Sequence, residues 1–399
     1  MFGAKTLSSL LLLSLAVASN AQKPNALRGA NPALDAAIEN LAKMEQFEAA
    51  VTDLALHYGI PLEDSTAAQE HIKMATDAQA NDRRIIQAAL NQPQTEASTL
   101  ASRCTLTATA SDTKKLNLSC TGTKIRFIGI GDWGEKSTNA GLTAVRDGIL
   151  AEANNLDFII NAGDNFYTFG VSSTTDSQWT NTWLNRYSVG TKLTVPWFSI
   201  MGNHDHYGNS NAQIEYSKAT KPGSKYWIMP GEFYAVDITD ANGKKFKLIN
   251  TDTETIKDAD YTWVSQQLAD ASAEFALVMG HYHIFSAGGR GDQTDSSVKR
   301  LNTLMQGNAK VKAYICGHEH DMQFLRSGKL DYFLIGGGGR SIDFNDKSPG
   351  TAATINYYQR NYGFAIYDVD IATRTMIVTY NIFNKNGAKV ESKVFTRQY

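Results

Sequence analysis

Phe158-Ile159-Ile160-Asn161-Ala162-Gly163-Asp164-Asn165-Phe166-Tyr167 is an apolar, strand-like run that breaks at glycine and then presents a carboxylate, an amide and a phenol. Taken alone, a Gly-Asp pair after a strand is an ordinary turn. The same punctuation recurs outward in both directions. The run 125–130 leads into Gly131-Asp132-Trp133-Gly134, and 195–201 into Gly202-Asn203-His204-Asp205. Further on, 275–279 leads into Gly280-His281, and 313–316 into Gly317-His318-Glu319-His320. These strand ends supply Asp132, Asp164, Tyr167, Asn203, His281, His318 and His320, enough oxygen and nitrogen donors for two metal ions side by side. Side chains at the carboxyl ends of several strands of an α/β sheet converge on one crevice.

The surrounding texture is that of a layered α/β domain. Helical candidates over 142–153 and 261–271 alternate with the strand-like runs, and further strands are expected over 332–335, 364–369 and 376–380. The pattern does not distinguish two packed sheets from one open sheet, because both give the same strand texture. Gly336 to Gly339 follow a strand but lack the Lys-Ser/Thr and following helix of a phosphate loop, so close backbone packing beside the site is the better reading. Cys104 and Cys120 bracket a hairpin signal whose ends a disulfide could tie, with a gain of roughly 3 kcal/mol from loop closure. Cys316, in an apolar run, reads as an inert core thiol. Asn117-Leu118-Ser119 is a glycosylation sequon on the same hairpin.

Lys5, the apolar run 10–18 and the small residues Ser19-Asn20-Ala21 read as a signal peptide over 1–21, cut before Gln22. No stretch approaches the length of a membrane span, so a soluble, secreted chain without a membrane anchor is expected. Residues 22–98 are expected to be a helical N-terminal region: Leu34, Ile38, Leu41, Met44, Phe47, Val51 and Leu54 follow helical spacing, and a second helix is expected from about 65 to 90. No residue set there suggests catalysis. The hairpin then occupies 99–123 and the catalytic domain 124–399. With 399 residues, 42% of them hydrophobic, the chain can build a sizeable core. A net charge of −2 argues against a nucleic-acid partner held by bulk charge.

In order and context the five segments resemble the calcineurin-like metallophosphoesterases, and Tyr167 after Gly-Asp-Asn-Phe narrows the likeness to the purple acid phosphatases of the small, tartrate-resistant type. The likeness runs over about 124–380 and includes Asn203-His204-Asp205-His206, Gln213 to Lys218 and Cys316 to His320. It implies two mixed sheets packed together with helices outside. It also implies hydrolysis of phosphate monoesters, from small molecules or phosphoproteins, by metal-activated hydroxide. By resemblance, Asp132, Tyr167 and His320 bind Fe(III), Asn203, His281 and His318 bind a divalent Fe, Zn or Mn ion, and Asp164 bridges them. Two carboxylates and a phenolate then carry −3 against +5 from the metals, leaving a centre that attracts phosphate whatever the net protein charge. Neighbouring readings are a phosphodiesterase or nucleotide phosphatase on the same centre, or a secreted binding or adhesion protein with a vestigial site. Oligomeric state is not legible.

Four residues outside the ligand set are candidates for handling substrate. In the family the histidine matching His204 faces substrate, binding phosphate or protonating the leaving alkoxide, and Asp205 reads as a group that orients a ligand or His204. Relatives usually carry a second substrate-facing histidine nine residues after the one matching His281, whereas this chain has Arg290, and His283 where proline is common. Arginine cannot donate a proton but can grip phosphate with its planar fork, so Arg290 is expected to clamp substrate, with His283 a helper, unless the loop turns Arg290 to solvent. Gly288 and Gly289 read as a flexible loop. Arg290-Gly291-Asp292 spells an adhesion tripeptide of little weight, and His206 and Asp321 read as solvated or structural.

Overall fold

The computed structural model describes residues 103–109, 112–342 and 348–399. The expected leader over 1–21, the expected helical region over 22–98 and residues 110–111 of the first hairpin lie outside the described residues. In chain order the strands are β1 (Cys104–Thr109), β2 (Asp112–Cys120), β3 (Ile125–Ile130), β4 (Phe158–Asn161), β5 (Trp197–Ser199), β6 (Trp227–Ile228), β7 (Tyr234–Thr239), β8 (Lys245–Asn250), β9 (Ala276–Met279), β10 (Val311–Cys316), β11 (Met322–Ser327), β12 (Leu330–Ile335), β13 (Thr354–Gln359), β14 (Tyr362–Asp370), β15 (Thr375–Phe383) and β16 (Lys389–Gln398). The helices are α1 (Ala140–Ala151), α2 (Asn203–His206), α3 (Ser210–Lys218), α4 (Asp258–Leu268) and α5 (Ser296–Gly307).

The strands form two mixed sheets, ordered β1-β2-β7-β8-β9-β10-β12-β11-β13 and β16-β15-β14-β3-β4-β5-β6. In the seven-stranded sheet β3, β4 and β5 run parallel. In the nine-stranded sheet β8, β9, β10 and β12 do the same. The sheets face each other across one apolar layer in which Phe127, Phe158 and Tyr367 of one meet Phe246, Leu277, Ile315 and Phe333 of the other. Phe127 stacks on Phe158 at 4.5 Å and on Tyr367 at 4.7 Å. Each such side chain, fully removed from water, contributes about 1.5–3 kcal/mol. Both outer faces are covered by helices: Val145 and Ile149 of α1 pack with Ile128 and Ile159, while Val264 of α4 and Leu301 of α5 pack with Val278 and Tyr314. Two packed sheets with helices outside are therefore the architecture, as the family likeness implied.

Local chemistry explains the boundaries. Helix α1 starts at Ala140, because the Asn139 side chain caps it by accepting from Leu142 N–H at 2.8 Å. Helix α4 starts at Asp258, where Asp260 accepts from Lys257 N–H at 2.9 Å. The strand expected over 195–201 shrinks to β5. Pro196 has no N–H for the ladder, and Ile200 gives its carbonyl to the Asn165 side chain at 2.8 Å. The hairpin read over 99–123 is not set apart from the sheet, since β2 pairs in parallel with β7 and so makes β1 the sheet edge. Cys104 and Cys120 are disulfide-bonded, which withdraws both thiols from any metal chemistry beside Asp157. Cys316 is free and buried, and burial pushes its thiol well above the ordinary range.

Candidate metal centre

Strands β3, β4 and β5 end side by side in one sheet, and β9 and β10 in the other. The loops that follow bring Asp132, Asp164, Tyr167, Asn203, His281, His318 and His320 into one crevice across the seam between the sheets. Three of them hold left-handed backbone, with φ of 57° at Asp132, 52° at Asp164 and 68° at His318. Residues with a Cβ rarely adopt it, and such strain gathers at functional sites. The glycines beside them make room: a Cβ on Gly202 would fall 2.3 Å from Asp164 Oδ1, and one on Gly317 2.3 Å from Asp132 Oδ2.

The donor atoms fall into two groups that share Asp164. In one, Tyr167 Oη lies 2.7 Å from Asp164 Oδ2, 3.2 Å from Asp132 Oδ1 and 3.4 Å from His320 Nε2. In the other, Asn203 Oδ1 lies 3.2 Å from His281 Nε2 and 3.1 Å from His318 Nδ1, and Asp164 Oδ1 is 3.5 Å from His281 Nε2. Hydrogen bonds on the far side of the His281 and His320 rings set their protons. His281 Nδ1–H donates to the Ala162 carbonyl at 2.8 Å, and His320 Nδ1–H to that of Ser341 at 3.1 Å. Both Nε2 atoms therefore point bare lone pairs into the crevice. Asn203 Nδ2 donates to Tyr207 Oη at 3.2 Å, so its Oδ1 faces inward. Acceptors facing acceptors at 3.1–3.5 Å repel, but that spacing suits ligands about 2.0–2.2 Å from a shared cation.

Electrostatics agree with that fit. Burial, reinforced by the Asp164 charge, holds the Asp132 carboxyl well above its usual range. Burial and the two carboxylates push the Tyr167 phenol up likewise. Burial, with help from Arg290, lowers His320 to about 4, and burial and His281 push His318 well down. A cation in the crevice reverses the penalty on the acids and welcomes neutral imidazoles. Asp132, Asp164 and His281, all buried, offer ligand atoms within 4.8 Å of one another.

The calcineurin-like phosphoesterase model matches residues 125–322. Human tartrate-resistant acid phosphatase type 5 is 31% identical over 292 residues, which cover 64% of this chain and 86% of the human protein. The chain belongs to the purple acid phosphatases. It is thus a metallophosphoesterase enzyme with phosphatase relatives in plants as well as animals: Arabidopsis thaliana purple acid phosphatase 3 is 28% identical over 296 residues, covering 69% of this chain and 79% of the plant protein. Among solved structures, GAP50, the anchor in the inner membrane complex of Plasmodium, superposes with a TM-score of 0.60 at 22% identity, covering 69% of this chain and 90% of that one. That likeness concerns the fold alone.

Around the purple acid phosphatase crevice the remaining candidates separate. His204 stands at the mouth, its main-chain N–H on Asp164 Oδ1 at 3.0 Å and its ring Nδ1 on the Thr168 carbonyl at 2.7 Å. Asp205 is wholly buried and reaches no substrate. Its carboxylate accepts from Gly202, Asn165 and Phe166 N–H groups and from Gln213, so it staples the Asn203 turn to the Asp164 loop, and burial lifts it to about 7. His283 also departs from the expected role. Its side chain is buried, stacks on His318 at 5.6 Å and donates from Nε2 to the Gly291 carbonyl at 2.9 Å. It braces the His318 ring and, through the Gly291 carbonyl, the loop that carries Arg290.

Arg290 is 49% exposed and lies 4.0 Å from the buried Glu319 carboxylate. The loop carrying it is pinned rather than slack: Asp292 accepts from Ser286 N–H, Thr351 Oγ1 and Ala352 N–H, and a Cβ on Gly288 would meet Glu319 Oε1 at 2.4 Å. His206 pairs with Asp252 at 2.7 Å, and Asp321 is buried against Gln323. The four glycines pack as expected, a Cβ on Gly338 falling 2.2 Å from the Gly131 carbonyl. Sequence alone passed over Arg340, just after that run, and only its position next to the glycines hinted at it.

Proposed function

We propose that the chain is a secreted acid phosphatase that hydrolyses phosphate monoesters at a paired Fe(III)–M(II) site, with Asp132, Tyr167 and His320 on the ferric side, Asn203, His281 and His318 on the divalent side, and Asp164 between. The observation that carries it is Asp164, whose two oxygens turn to separate donor groups, one containing a phenol and the other two imidazoles. Such ions, when bound, neutralise the phosphoryl oxygens and acidify a water. Tyr167 supports the trivalent assignment, since a phenol that burial and carboxylates hold protonated ionises only beside a strongly acidic cation.

The chain's own residues supply the rest. The Thr168 carbonyl can only accept, so His204 carries its proton on Nδ1 there and exchanges a second one at Nε2. As imidazolium it donates from Nε2 to the departing alkoxide. Arg290, anchored near Glu319, extends toward the phosphate with a fixed positive fork, and His283 keeps its loop in place. Asp205 positions His204 and Asn203 through the turn it staples.

The test compares phosphate release by the purified protein from an aryl monoester and the matching diester, alongside its absorption spectrum and iron content. The expected outcome is preference for the monoester, bound iron and a visible phenolate-to-iron band that Tyr167→Phe abolishes. Preference for the diester would move the reading to a phosphodiesterase. No hydrolysis of either would favour a vestigial site, and hydrolysis without iron or colour would remove the ferric assignment.

A further inference from the structure

Arg340 occupies a place that the phosphatase reading leaves without a task. Its main-chain N–H donates to the Asp132 carbonyl at 2.9 Å, so the segment carrying it is registered against the Asp132 loop. Its guanidinium carbon stands 4.7 Å from the centre of the Tyr167 ring, over the face. Its Nη1 donates to Glu135 Oε2, in a pair that is only partly open to water. Glu135 is itself held in place, because Arg186 Nη1 donates to its carbonyl at 2.6 Å and Nη2 to that of Lys136 at 3.1 Å. Tyr167 is fully buried, so solvent does not separate the cation from the ring.

We propose that Arg340 is a positioning residue for the ferric side of the site, its charge over the Tyr167 ring restraining how readily the phenolate gives electron density to iron, with the Glu135 carboxylate moderating that charge. The inference rests on Tyr167 being a ferric ligand. A cation above an aromatic face lowers the energy of the filled π orbitals beneath it, and the effect is larger where water is excluded. The visible band of such a centre moves an electron from those orbitals to the metal. Removing the cation raises the donor orbitals and narrows the gap. Removing the carboxylate that offsets the cation does the opposite. A merely structural pair would not produce shifts of opposite sign.

The experiment uses the metal-loaded enzyme and its R340Q, R340K and E135Q variants, with absorption spectra recorded beside iron content. R340Q is expected to keep iron and shift the band to longer wavelength, R340K to stay near the wild-type position, and E135Q to shift to shorter wavelength. An unmoved band in iron-loaded R340Q, or R340Q and E135Q shifting in the same direction, would overturn the proposal. Should R340Q fail to retain iron, E135Q decides: a shift to shorter wavelength supports it, and no shift or the reverse refutes it. A colourless, iron-free wild type would instead bring down the ferric assignment itself, which separates the two failures.

Discussion

At the scale of single residues, hydrogen bonds behind His281, His320 and Asn203 fix what each shows in front. Ala162 and Ser341 carbonyls take the Nδ1 protons of His281 and His320, and Tyr207 takes the Asn203 amide, leaving lone pairs turned inward. His204 is held by the same device but faces the mouth, through Thr168. His204→Ala is therefore expected to retain metal while losing about 10²- to 10⁴-fold in rate on an alkyl phosphate. The defect should shrink on an aryl ester whose leaving group needs no proton, and steady-state rates on the two ester classes check this. The types and spacing of these residues were legible in the chain. The carbonyls that set their protons were not, because a backbone oxygen carries no signature and its direction depends on loops far apart in sequence.

Elements decide how tightly the donors are set. The segment after β12 crosses beneath the Asp132 and Glu319 loops so closely that a Cβ on Gly336 would sit 2.0 Å from the Glu319 carbonyl and one on Gly338 2.2 Å from that of Gly131. These contacts are to backbone, which cannot swing aside. Gly338→Ala is expected to cost roughly 1–3 kcal/mol through overpacking and to lower metal content by displacing the Asp132 loop. Gly307→Ala, at the end of α5 where a Cβ meets nothing within 4 Å, is the matched control and should leave metal content unchanged without lowering stability. Thermal melts and metal analysis of the two variants test the contrast. Strand positions β3 and β4 were readable from their apolar runs, whereas β5 came out shorter than its pattern, since Pro196 and the Asn165 side chain interrupt the ladder.

For the molecule as a whole, the donors come from both sheets: Asp132, Asp164, Tyr167 and Asn203 from the ends of β3, β4 and β5, and His281, His318 and His320 from those of β9 and β10. Ions bound there would tie the two sheets across their seam and relieve the buried carboxylates. Chelation should consequently lower the melting temperature, by an amount equivalent to about 4 kcal/mol where free metal had exceeded its dissociation constant a thousandfold. An unchanged melting curve after verified metal removal would count against a bound pair. Among the described residues no helix is long and apolar enough to cross a membrane. The chemistry of the site was written in local sequence, because each Gly-Asp or Gly-His step after an apolar run marks a strand end that carries a ligand-type side chain. Local pattern also sufficed for the α/β class. It could not say that there are two sheets, since β2 joins β7, and β14 joins β3, across 100 residues and more. Nor could it show that His283 is buried beneath its loop or that Arg340 lies over Tyr167. Those placements follow from how the loops pack against one another across the seam, and periodicity along one stretch of chain carries no information about that.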